Sequence, residues 1–143
     1  MRWMLMAIVA TVLSTPAGGG DTGSIVVTID GLRNAKGSAR VALFNREPGF
    51  PDEEPAAYRT FVAEIVGAQV LVRFEQLPSG TYAVAMYHDE NGDAKFNKGL
   101  FGIPKEGYGV SNNIVHAVRA PKFSEAVIPV SDGVKEIAIR VHY

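Results

Sequence analysis

The stretch from His88 to Asn113, HDENGDAKFNKGLFGIPKEGYGVSNN, limits what this chain can fold into more than any other. It follows a strand-like run, Thr81 to Tyr87, and it is rich in glycine, carboxylates and amides. A connection this long inside a compact domain is uncommon, and such loops are usually functional or disordered. Disorder is disfavoured because Phe96, Leu100, Phe101, Ile103, Tyr108 and Val110 give the loop apolar residues of its own to bury. The expectation is one long ordered loop that serves as a functional surface.

The rest of the chain reads as short strands. Ser24 to Asp30 carries Ile25, Val27 and Ile29 at period two. Ala39 to Asn45 carries Val41 and Leu43 on one face and Arg40 on the other. A short turn separates these strands, which suggests a hairpin. Between Arg46 and Ala57, Pro48, Pro51 and Pro55 forbid a regular strand and interrupt any helix. The acidic triplet Asp52–Glu54 is expected to face water. Tyr58 to Val66 and Val70 to Glu75 are the next strands, joined at Gly67, with Val70, Val72 and Phe74 on a buried face. Leu77-Pro-Ser-Gly-Thr-Tyr82 is a turn in which Gly80 is expected to take positive φ. Tyr82 to Tyr87 is apolar on both faces and reads as a central strand. Ile114 to Val118 reads as a short strand or turn. Ala120 to Ala126 has room for one helical turn with Pro121 as an early residue. Pro129 demotes the strand Ala126–Val130 to an edge. Val134 to Tyr143 closes the chain with Ile137, Ile139 and Val141 alternating. The predicted fold is all-β: a single antiparallel β-sandwich of about seven strands, Ig-like or transthyretin-like.

Length and composition set the remaining bounds. A chain of 143 residues is most simply one domain. It has no cysteine, which excludes disulfides, thiol catalysis, thiolate metal sites and a lipidated cysteine anchor. A net charge of -1 without a basic run gives no electrostatic footprint for nucleic acid or for steering toward an anionic membrane. The first residues read as a secretory signal peptide: Arg2, the apolar run Met4–Leu13, then small residues through Ala17. That run is too short to span a bilayer, which takes roughly 20 residues. The expected organisation is a signal over residues 1–20 and a domain over 21–143, periplasmic or secreted, with no membrane span after signal removal and an envelope or extracellular ligand.

The stretch FEQLPSGTYAVAMYHDENGDAKFN, Phe74 to Asn97, continuing through GIPKEGYGVSNN, Gly102 to Asn113, resembles an exported bacterial family of unknown function, domain of unknown function 2141. The resemblance covers most of the mature chain. The shorter LPSGTY is similar to a turn shared by transthyretin-like and carboxypeptidase-regulatory sandwiches. The resemblance implies an exported β-sandwich and no activity. Position 94 departs from it: Ala stands where such acidic loops often have Gly or Asn.

Chemistry concentrates in the long loop. Asp89, Asn91 and Asp93 sit at the spacing that opens an EF-hand-type calcium loop. The match then fails, because Ala94 occupies the sharp-turn position and Leu100 the position of the terminal Glu. Glu106 is available from elsewhere in the loop. Two readings stay open. One is a weak Ca2+ site of the extracellular type, with Kd on the order of 10⁻⁴–10⁻³ M. The other, favoured by the incomplete ligand set, is a network in which Asp and Asn side chains bond nearby amides without metal. His88, Glu106, Tyr108, Ser111 and Asn112 are the candidate ligand-binding residues. His88 reads first as a structural histidine at a strand end, His116 and His142 are too scattered for zinc, and Ser111 lacks the second glycine of a nucleophile elbow. The leading functional reading is therefore a binding or accessory module, leaning away from catalysis. The alternative is a hydrolase-like enzyme using His88, Asp89, Glu106 or Ser111.

Overall fold

A computed structural model describes residues 20–143; the segment read as a signal peptide lies outside the described residues. The described chain forms a two-sheet β-sandwich. Its strands are β1 (Thr22–Asp30), β2 (Ser38–Phe44), β3 (Arg59–Glu64), β4 (Val70–Pro78), β5 (Gly80–Asp89), β6 (Tyr108–Val110), β7 (Ile128–Val130) and β8 (Gly133–Arg140). One sheet has the order β4-β1-β8, the other β3-β2-β5-β6, with β7 pairing the start of β5 on the same edge as β6. Most pairs are antiparallel; β1 and β8 run parallel in register from Gly23–Gly133 to Asp30–Arg140. Among the described residues no helix is long and apolar enough to cross a membrane.

The period-two faces found in the sequence build the core. Ile25, Val27 and Ile29 of β1, Val70, Val72 and Phe74 of β4 and Ile139 of β8 meet Val41 and Leu43 of β2 and Tyr82, Val84 and Met86 of β5. Burying a side chain of this kind contributes about 1.5–3 kcal/mol, so this inner layer dominates the stability of the fold. β5 is central, as its two apolar faces require. Its outer residues Ala83 and Ala85 join Ala42, Phe44 and Val110 in a second, smaller cluster covered by Phe50 and Phe123. The rings of Phe44, Phe50 and Phe123 stack edge to face at 5.3 and 5.9 Å. The proline-rich segment thus folds back as a cover over the outer face of β2. Within it Glu54 is half-buried against Arg40 rather than fully solvated, while Asp52 and Glu53 face water as expected.

Several local expectations are corrected. β1 and β2 do not form a hairpin: they lie in opposite sheets, and residues 31–37 cross between them. Both strands present an apolar face to the same core, and a period-two pattern cannot tell strands that pair from strands that face one another. Gly37, at φ +64, makes this crossing tight, because a Cβ there would lie 1.8 Å from the Asp89 carbonyl oxygen. Gly80 does not take positive φ, and a Cβ there would meet nothing closer than 3.9 Å. The left-handed residue near this turn is Gln76, at φ 54, beside the register shift between β1 and β4. Arg59 donates to the carbonyls of Glu75 and Gln76 and holds that irregularity. Pro121 precedes the single helical turn α1 (Phe123–Ala126) instead of entering it. Residues 114–118 form no strand.

Candidate functional site

The long loop is ordered by its own polar side chains. Asp89, at the end of β5, is 1% exposed. Its Oδ1 accepts from the Gly92 N–H at 3.1 Å and its Oδ2 from the Ala94 N–H at 3.0 Å. These two bonds curl the chain into a tight turn, with Gly92 at φ 71 and Ala94 at φ 59. Ala94 therefore adopts the left-handed conformation that the more usual Gly or Asn would take without strain. Asn91 Oδ1 accepts from the Asp93 N–H, and Asp93 Oδ1 from the Lys95 N–H at 2.9 Å. Asn97 Nδ2 donates to Asp93 Oδ2 at 2.9 Å. The Asn97 side chain, then the Lys95 amide, hold the Asp93 carboxyl below the usual carboxylate range.

Glu106 closes the loop from its far end. It is 6% exposed, and its two carboxylate oxygens accept from the backbone N–H groups of Glu90 (3.0 Å) and Asn97 (2.9 Å). The loop is thus pinned at its start and its end by two buried carboxylates. Carboxylate oxygens of Asp89, Asp93 and Glu106 all lie within 4.8 Å of one another. Of the three sequence-predicted metal residues, Asp89 turns inward, whereas Asn91 and Asp93 sit at the exposed rim. Asn91 spends its side chain on Asp93 and Asn97. Such carboxylates keep further lone pairs for a hard cation, which takes oxygen ligands.

The other predicted residues are distributed elsewhere. His88 is fully buried, with Nδ1 2.7 Å from the Tyr143 hydroxyl and Nε2 2.6 Å from the Lys36 carbonyl oxygen. Ser111, also fully buried, donates to the Ala126 carbonyl at 2.5 Å and accepts from the Val84 N–H at 3.0 Å. Asn112, at φ 63, donates to the carbonyls of Glu125 and Val127 and ties the loop exit to α1. Each of these side chains is committed to the fold, and His88 and Ser111 make no hydrogen bond to one another. His116 bonds Glu125, whose carboxyl Arg119 first, then the Lys122 amide, hold far below its usual range. That cluster caps α1 on the surface.

Tyr108 leads to a feature that the sequence reading missed. Its ring packs 6.0 Å from Phe96, which packs 5.4 Å from Tyr87. These three rings wall a narrow cleft with an internal volume of about 40 Å³, partly open to solvent, on the outer face of β2, β5 and β6. Ala42 and Ala85 line it together with Pro51 and Pro121, and the Arg40–Glu54 ion pair borders it, with Nη2 and Oε1 3.1 Å apart. Burial pushes the Tyr87 hydroxyl up to about 12. The available signal was the alternation of alanine along the outer face of β5: small residues on a central strand leave a trough unless a large neighbour fills it. Also missed is the outward position of Leu100, Phe101 and Ile103, which were expected to be buried and are 83%, 98% and 63% exposed. A hydrogen-bonded turn holds them away from the sandwich.

Comparison with curated proteins and with solved structures gave no match. The family model described as "Uncharacterized protein conserved in bacteria (DUF2141)" matches residues 27–138, a span that includes most of the sandwich core, the long loop and the cleft. The chain belongs to this family of uncharacterized bacterial proteins.

Proposed function

We propose that this chain is an exported binding module whose loop 88–113 is the working surface. The observation that carries this reading is the cleft. An apolar trough with a few convergent polar groups is the usual form of a small-molecule site, and here the long loop itself supplies two of the walls, Phe96 and Tyr108. The Tyr87 side chain and the Arg40–Glu54 pair offer orientation within an otherwise apolar lining. The ligand class that fits is a small, largely apolar molecule with at least one hydrogen-bonding group. Saturable fluorescence enhancement of an anilinonaphthalene sulfonate probe, displaced by material extracted from the native envelope, tests this. Ala85→Leu fills the trough and is expected to abolish the enhancement while circular dichroism stays unchanged. A probe signal equal in parent and variant sinks the reading. Export itself is tested by N-terminal sequencing of the native protein, where a start at Met1 would count against it.

A second reading concerns a weak calcium site at the root of the loop. It is supported by the convergence of the Asp89, Asp93 and Glu106 carboxylates within 4.8 Å, with Glu106 taking the place of the terminal Glu that the spacing lacked. A bound cation stabilises the native state by RT ln(1 + [L]/Kd), about 1.4 kcal/mol at tenfold excess over Kd. A thermal melt that rises with calcium in the parent and not in Asp93→Ala would bear this out. A melt indifferent to calcium in both would leave the loop as a purely hydrogen-bonded network.

A further inference from the structure

We propose that the finger formed by residues 98–105 docks peripherally on an anionic lipid surface, with Leu100, Phe101 and Ile103 entering the headgroup–acyl boundary. This inference is independent of both the cleft and the calcium reading, since none of these three residues lines the cleft or belongs to the carboxylate cluster.

Three observations carry it. First, the finger is a built projection. Lys98 and Pro104 form a bridge, the Gly99 N–H donates to the Ile103 carbonyl at 2.6 Å, and the Lys105 N–H donates to the Asn97 carbonyl at 2.9 Å. At its apex Phe101 is 98% exposed with φ 60. Water is a poor environment for three large apolar side chains gathered at one tip, and an ordered apolar projection of this kind marks an interaction site. Second, the tip is convex. A fluid interface receives a convex apolar tip without a matching groove, as it does the apolar face of an interfacial element. Third, the stem of the finger carries two lysines. Lys98 and Lys105 flank it at the bridge to Pro104 and against Gly99; Lys98 pairs with Asp52, and Lys105 has no carboxylate partner among the described residues. The carboxylates Asp89, Glu90, Asp93 and Glu106 lie toward the root. Lysines beside an inserted apolar tip meet anionic headgroups, and their attraction falls off within a Debye length. A net charge of -1 over the whole chain provides no long-range steering, so contact depends on this local arrangement.

The test is co-sedimentation with vesicles of phosphatidylcholine, with and without phosphatidylglycerol. The parent protein is expected to pellet with the anionic vesicles, and Phe101→Asp to lower that partition about tenfold or more. Lys105→Glu is expected to reduce it in low salt, with the parent also released by high salt. In a separate measurement, Phe101→Trp is expected to blue-shift its emission when anionic vesicles are added; the one natural tryptophan, Trp3, lies in the segment read as a signal peptide. Absence of parent binding to anionic vesicles together with an unshifted Phe101→Trp emission overturns the proposal. So does lipid-independent self-association that Phe101→Asp abolishes, because the tip would then seat on a second copy of the chain.

Discussion

The two halves of the long loop invert the ordinary rule of burial. In residues 89–97, together with Glu106, polar side chains turn back on the backbone and satisfy it, and the two carboxylates that pin the turn are nearly inaccessible. In residues 98–104, apolar side chains turn outward and contact little of the domain. Buried polar groups persist where they are fully hydrogen-bonded, and here their partners are the amides that a tight turn would otherwise leave unpaired. The exposed apolar half has no such internal reason. The first half is therefore scaffold and the second is what the scaffold presents.

The comparison breaks most completely at the ground on which the loop stands. Gly37 approaches the Asp89 carbonyl so closely that a Cβ would overlap it, and its φ of +64 disfavours any side chain. Gly37→Ala is expected to cost about 3 kcal/mol or more, because backbone must move against backbone. Urea denaturation measures this, and a loss below about 1 kcal/mol would show that the crossing yields easily. The next largest effect is expected at Asp89. Asp89→Ala leaves the Gly92 and Ala94 amides without their acceptor and should cost about 2–3 kcal/mol. Asp93→Ala, at the exposed rim, should cost clearly less without calcium. Equal losses at the two positions would contradict the division into buried pin and exposed rim.

A titration sharpens the same contrast where the scaffold half meets the cleft. Burial holds the Tyr87 hydroxyl protonated up to about 12, against an ordinary value of 10.0. The native state therefore keeps its proton where the unfolded chain has lost it. The stability this provides is complete below the ordinary value and disappears as pH rises through the folded one. Phe96 lies against this ring, so Phe96→Ala should admit water and move the tyrosinate absorbance transition toward lower pH. An unmoved transition would mean that the loop does not shield the cleft.

The strands and the two-sheet architecture were legible because alternation reports burial directly, and the two apolar faces of β5 correctly placed it in the centre. Pairing was not legible. The β1–β2 hairpin and the Gly80 turn both failed because a period-two face and a glycine-containing turn suit several chain paths, and tertiary contacts select among them. The acidic spacing drew attention to Asp89, Asn91 and Asp93, of which Asp89 and Asp93 lie near Glu106, whose distance along the chain gave no sign of that proximity. The cleft escaped because its walls come from β2, β5, β6 and two separate loops. The exposed finger escaped because its apolar residues were assumed to be buried, and that assumption fails where a side chain faces outward from an ordered turn.

The smallest expected effect separates the two halves most finely. Ala94 and Phe101 each occupy the left-handed region, at φ 59 and φ 60, one in each half of the loop. Glycine relieves this backbone strain at either position, at some cost in unfolded-state entropy. Neither side chain is buried, so little packing is lost by removing it. Ala94→Gly and Phe101→Gly are therefore both expected to raise stability, by about 0.5–1 kcal/mol each. The halves then part on a second measurement. Ala94→Gly should leave vesicle binding intact, because it relaxes a turn whose task is to hold the loop. Phe101→Gly should weaken it, because it removes the apex. If Phe101→Gly instead destabilised the isolated protein, the phenylalanine would be contributing to the fold, and the finger would belong with the scaffold. If it stabilised the protein and bound vesicles undiminished, the strain at the apex would have no relation to lipid. A gain in stability with a loss of lipid binding at residue 101, and a gain alone at residue 94, is the outcome that a scaffold and its presented tip require.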